Sequence, residues 1–212
     1  MSTTELVFSN LKPGVTQQLI AALRGSPAFQ NIPGNLYKRI GHVVRHNGED
    51  VTSQERIVLG LEWDKPSSFH AFYPASPQFS EFIGAIKEFV AAPPKPVLFT
   101  ARPDYGRPVP TLSSAVTQIF IGPNGDKKPE GEQARATFLD LLKEAKERGE
   151  IDFERWGGLG IDDAEGTWLG LLGWKSEEEL DKAMKGDGIA EAVKKLRNTE
   201  ALDEYVVKFE EV

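Results

Sequence analysis

The side chains of this sequence best suited to moving a proton or holding negative charge near neutral pH are three histidines and two arginines. In "LYKRIGHVVRH" (36–46), strict alternation places Leu36, Lys38, Ile40, His42, Val44 and His46 on one face of a strand and Tyr37, Arg39, Val43 and Arg45 on the other. His42, flanked by Ile40 and Val44, is expected to be the most enclosed of the three histidines. A neutral imidazole there either acts as general acid or base or is a hydrogen-bonded core group. His70 follows Phe69 on a helix starting near Pro66 and points to a pocket mouth or to solvent, and His46, beside "NGED", reads as an exposed turn residue. Arg102 ends the apolar "PVLFTA", where its guanidinium can reach an enclosed ligand and hold a carboxylate, phenolate or enolate oxygen. Arg39 shares its face with Tyr37 and reads as a structural ion-pair residue or a second anion contact.

Aromatic residues surround these candidates. Trp63, Phe69, Phe72 and Tyr73 fall in the first half, Tyr105 near the middle, and Trp156, Trp168 and Trp174 in the second half. Such a supply suits a packed core and equally the walls of a pocket for a flat hydrophobic ligand. The expected catalytic set is His42, His70 and Arg102, and the expected substrate-binding set is Tyr37, Arg39, Trp63, Phe72, Tyr73 and Tyr105.

Other chemistries lack their residues. No two histidines, and no histidine and carboxylate, stand at a recognised ligand spacing, so no metal is expected. Gly157, Gly158 and Gly160 in "ERWGGLGI" are not followed by a helix, so they fail the context of a dinucleotide loop and mark a bulge or a close approach instead. With no P-loop or nucleophile elbow either, no cofactor is expected. The chain has no cysteine, which removes thiolate nucleophiles and disulfides. A net charge of −7 argues against a nucleic-acid partner. "MSTTELVFSN" has no basic and apolar leader pattern, and no apolar run approaches the roughly 18 residues of a membrane span, so a cytoplasmic protein without membrane contact is expected.

The elements that must position these residues occur twice. Strand "TELVFSNL", helix "VTQQLIAALRGSPAF", strands "NLYKRIGHVVRH" and "RIVLGLEW", a helix with Phe79, Phe82, Ile83 and Ile86 on one face, and strand "KPVLFTAR" give βαββαβ. The second half repeats the order with "TQIFIG", a helix striped by Phe138, Leu141, Leu142 and Ala145, "FERWGGLGI", the turn "IDDAEGTW", "TWLGLLGW", a long helix and "EYVVKF". Ser176 and Glu179 form a capping box, and Asp64 before Pro66 takes the matching cap in the first copy. The divisions expected are 1–103, a linker at 104–114 within the Pro- and Gly-containing "RPDYGRPVPTLSS", and 115–212.

A split βαβ unit leaves one sheet face bare, and two such units can cover each other. The order of elements and "WDKPSSFHAFYPASPQFSEF" (63–82) resemble the dimeric α+β barrel superfamily, in particular its antibiotic-biosynthesis-monooxygenase-like (ABM-like) group and that group's fungal relatives. Trp63, His70, Ser76, Pro77 and Phe79 match that group's signature, whereas the second copy keeps Trp174 and "SEEELDKAM" but has "KGDGIAEA" in place of S-P-x-F. The resemblance implies α+β architecture, with tandem ferredoxin-like repeats forming one intramolecular barrel, hence a monomer with an internal pseudo-two-fold. It also implies a cofactor-independent enzyme of secondary metabolism taking a hydrophobic aromatic or polyketide-like small molecule. A cyclase or isomerase working by general acid/base catalysis is the first expectation, and a cofactor-free monooxygenase of the ABM type is the alternative. A non-catalytic ligand-binding or stress-associated barrel is a further one, as is a haem site using His42 or His70. Any single pocket is expected in the first half, which holds all three histidines.

Overall fold

The computed structural model describes residues 2–124, 129–199 and 201–212. The first half runs β1 (Thr3–Asn10), α1 (Thr16–Gly25), α2 (Pro27–Gln30), β2 (Asn35–His46), a short β3 (Glu49–Asp50), β4 (Arg56–Trp63), α3 (Pro66–Phe72), α4 (Pro77–Ile86) and β5 (Lys95–Ala101). After α5 (Val109–Leu112), the second half runs β6 (Val116–Pro123), α6 (Pro129–Glu147), β7 (Phe153–Ile161), β8 (Thr167–Trp174), α7 (Glu177–Met184), α8 (Ile189–Thr199) and β9 (Asp203–Glu211).

Each half contributes four antiparallel strands, and the halves join edge to edge through β5–β7 and β2–β9. The order β2-β4-β1-β5-β7-β8-β6-β9 therefore closes on itself as one eight-stranded barrel, with β3 flanking β2. Closure removes every long free edge, which two separate sheets would leave exposed. Alternation divides the apolar residues among three cores. Leu6, Val58, Phe99, Ile119, Leu171 and Val207 fill the barrel, while Trp63 and Trp174 sit under the helices of the first and second half. Among the described residues no helix is long and apolar enough to cross a membrane.

Several local expectations change. The helices expected as single are split where the backbone loses donors or turns. Pro27 opens α2 with the Ser26 hydroxyl accepting from Phe29 N–H, and Pro77 opens α4 with Ser76 accepting from Phe79 N–H. Gly188, at φ +77°, lies in the break between α7 and α8. Asp64 caps nothing, because the N-cap of α3 is Lys65 and makes no side-chain cap bond. Ser176 does accept from Glu179 N–H at 3.2 Å, but the Glu179 carboxylate accepts from Lys175 and Asp152 instead of closing the box.

The alternation in β2 also breaks. Its register on β9 slips between Val43 and Arg45, a β-bulge that exchanges the faces of the residues after it. Arg45 now reaches Glu177 and Asp181 on α7, and His46 turns inward to stack on Tyr205 at 4.5 Å. Hence His46, with 24% of its side chain exposed, is the most enclosed histidine, ahead of His42 at 36% and His70 at 50%. Residues 104–114 do more than tether the halves. Leu112 and Thr111 are buried across one end of the barrel, and Arg107 donates bonds of 2.6 and 2.9 Å to the fully buried Glu62.

Candidate active site

A cavity lies between sheet and helices in each half. In the first, alternation along β1 points Glu5, Val7 and Ser9 at the helices and Leu6 into the barrel. The enclosed space, about 50 Å³, is walled by apolar side chains of β4, α1 and α4 together with Phe72 and Tyr73. Glu5 is the only acid among its lining residues. The indole N–H of Trp63 donates to Glu5 Oε2 at 2.8 Å, and Trp63 is itself fully buried behind it against Phe69 and Phe72.

Burial penalises the charged carboxylate and pushes the Glu5 pKa up to about 7, and the indole bond opposes that rise. A carboxyl so placed holds or releases a proton at neutral pH, the property a general acid or base needs. Expectations centred on histidine omit this residue. The signal is nonetheless present in "TELVFSNL", where a glutamate alternates with apolar residues on a strand covered on both faces.

The candidates named from sequence separate into groups. Phe72 and Tyr73 join Glu5 at the first cavity, with Trp63 as its support. Arg102 and Tyr105 border the second cavity instead. His42 lines neither, and its Nε2 lies 2.9 Å from Glu210 Oε1, a carboxylate that Arg24 also holds. His70, half exposed, lines a separate cleft at the seam between the halves with Tyr73 and lies 3.1 Å from Asp162. Arg39 donates to the Tyr37 hydroxyl and pairs with Glu211, while that hydroxyl lies 2.7 Å from Ser113 Oγ. Tyr37 and Arg39 therefore brace the chain near the connecting segment and border neither cavity. No histidine borders either of these two cavities. Among the described residues, no three histidine, aspartate or glutamate side chains converge as metal ligands do.

The matching strand position in the second half differs from that of Glu5. Thr3 pairs with Trp63 and Val116 with Trp174 in the same register, so Gln118 stands where Glu5 stands. Its amide donates to Glu204 at 2.7 Å, and the Trp174 indole N–H meets no acceptor among the described residues. Phe120 and Trp168 fill the places of Val7 and Ile57. The buried carboxylate beside Gln118 is that of Glu204, which is paired with Arg197, so no acid lines the second cavity as Glu5 lines the first.

No protein-family model and no curated protein matches the sequence. The backbone superposes over almost its whole length on an anthrone oxidase-like protein, with TM-score 0.65 and 12% identity over 99% of this chain and 91% of the other. A proposed monooxygenase from Lactobacillus acidophilus NCFM gives 0.58 and 12% identity, covering 98% of this chain and 93% of that one. Another, from Fusobacterium nucleatum subsp. nucleatum, gives 0.60 and 7% over 98% and 92%. The fold is that of a fused dimeric α+β barrel. In this α+β barrel the symmetry of the backbone and the asymmetry of the side chains at Glu5 and Gln118 stand side by side.

Proposed function

We propose that this α+β barrel is a cofactor-independent monooxygenase acting on an aromatic substrate with an acidic C–H, with Glu5 as the general base. The observation that carries the proposal is one buried carboxyl, titrating near pH 7, at the wall of an otherwise apolar cavity. An apolar cavity accepts a flat aromatic body, and the carboxylate takes the proton from a methylene made acidic by adjoining rings or a carbonyl. The carbanion gives its electrons to dioxygen, and the balance is one methylene and one O₂ converted to one carbonyl and one water. Trp63 holds the carboxylate in place, and Tyr73, one of two hydroxyl-bearing residues on the cavity wall with Ser9, is suited to donate a hydrogen bond to the developing enolate oxygen. The likeness to an anthrone oxidase-like protein supports this substrate class. The enclosed space is well below the roughly 300–1,000 Å³ of ordinary ligand pockets, so a tricyclic substrate requires the covering helices to move apart from the sheet.

Proton transfer by the same base without oxygen would make a cyclase or isomerase. An oxygen electrode with anthrone as probe separates the readings. Consumption of one O₂ per product, persisting after dialysis against chelators and lost in Glu5→Gln, supports the monooxygenase. Turnover without oxygen uptake supports the cyclase or isomerase. Binding with neither leaves a non-catalytic barrel.

A further inference from the structure

The cavity of the second half carries a different chemistry from that of the first. Its lining includes Arg102, Arg135 and Arg155 and no carboxylate, in a chain whose acids outnumber its bases 32 to 25. Arg155 lies over the ring of Tyr105 at 5.5 Å, and Arg135, only 8% exposed, lies over the ring of Trp168 at 4.6 Å. Arg102 is anchored beside them by its backbone N–H, which donates to Gly157 O at 3.0 Å. Among the described residues no acid pairs with Arg102 or Arg155.

The floor of this cavity is equally specific. Gly157 of β7 faces Gly170 of β8 across the ladder, and the rings of Tyr105 and Trp168 come to 3.0 Å from where a Cβ would stand on each. Side chains at those two positions would lift the rings away, so the paired glycines make a flat apolar bed. A flat bed edged by guanidinium groups matches one ligand class, an aromatic ring bearing a carboxylate. The ring lies on the apolar side and the carboxylate takes paired N–H donors from arginine.

We propose that the second half-barrel is a binding site for a small aromatic carboxylate, held by Arg102 and Arg155 and separate from the acid/base cavity of the first half. The enclosed space is about 40 Å³, room for only a few atoms, so the ring displaces Tyr105 on entry. Tyr105 is carried on the connecting segment, where such a movement leaves the sheet intact. This inference does not depend on any reaction at Glu5.

The probe is 1-naphthoate, with 1-naphthamide as its uncharged counterpart, titrated by calorimetry into the full chain. One naphthoate per chain is expected, with the amide at least tenfold weaker. Arg102→Gln and Arg155→Gln should each weaken naphthoate about tenfold or more, since each removes a charge-assisted pair of bonds. Arg155 is exposed, so its variant keeps the test valid even if Arg102→Gln unfolds. Glu5→Gln should bind naphthoate as the parent does, whatever becomes of turnover. Equal affinity for acid and amide, unchanged affinity in Arg155→Gln, loss of binding in Glu5→Gln, or no binding at millimolar naphthoate would each overturn the proposal.

Discussion

At the scale of single residues, Glu5 concentrates the testable chemistry. Removing a positioned general base typically costs about 10²–10⁴-fold in rate, so Glu5→Gln should lose turnover by that factor while Gln retains an acceptor for the Trp63 indole. In the parent, kcat/KM should rise with pH through about 7 as the carboxylate forms. Because the indole bond holds that pKa down, Trp63→Phe should move the midpoint of the profile to higher pH, an effect that loss of packing alone would not produce. Stability carries the same signature. The folded-state pKa lies above the ordinary 4.5, so the stabilising contribution of Glu5 is fully present below about pH 4.5 and is lost as pH rises through about 7. Glu5→Gln should therefore gain on the parent by on the order of 3 kcal/mol between pH 4.5 and pH 8. Parallel melting curves at those two pH values check the sign, and a difference independent of pH would show that Glu5 is not buried as described.

At the scale of elements, two segments behave unlike their local pattern. The bulge in β2 sends Arg45 to α7 and His46 to Tyr205, so a strand that reads as one uninterrupted alternation serves two faces in two parts. The connecting segment acts as a clasp, because Arg107 satisfies a carboxylate, Glu62, that points into the barrel with no exposure to water. Arg107→Met should leave that charge unpaired and cost roughly 2–3 kcal/mol, somewhat below the usual penalty since the guanidinium end is half exposed and water can enter. Combining it with Glu62→Gln should restore part of the loss. Chemical denaturation of the two single variants and the double variant measures this coupling, and additive losses would mean that the clasp contributes nothing.

At the scale of the whole molecule, the seams between the halves are strand pairs. β5 with β7 and β2 with β9 are the contacts that two separate chains would otherwise make across a dimer interface. The fused chain should therefore run as a monomer in light scattering and unfold in one transition, since neither half can open without exposing two strand edges. A stable dimer at micromolar concentration would mean that some further face is an interface. The fusion also frees the two halves to diverge. Glu5 against Gln118, and the arginine-lined cavity in one half only, are differences that a symmetric homodimer cannot hold.

The repeat and the βαββαβ order were legible in the sequence because each rests on local period and spacing: Trp63 and Trp174 end matching strands, and apolar stripes mark the helices, whereas the single barrel was implied only by the family resemblance. Phe72, Tyr73 and Tyr105 stand out in the sequence as aromatic residues fit for a core or a wall, and the structure sets the first two at one cavity and the third at the other. Which of these groups share a cavity was not legible, since that depends on register between strands distant in sequence. One bulge put His46 inside and left His42 at the rim, closure of the barrel placed Arg102 at the cavity of the second half, and burial on both faces of β1 turned Glu5 into the acid poised near neutrality. A pKa is set by the water that surrounding elements exclude, and the linear pattern alone does not show which elements those are.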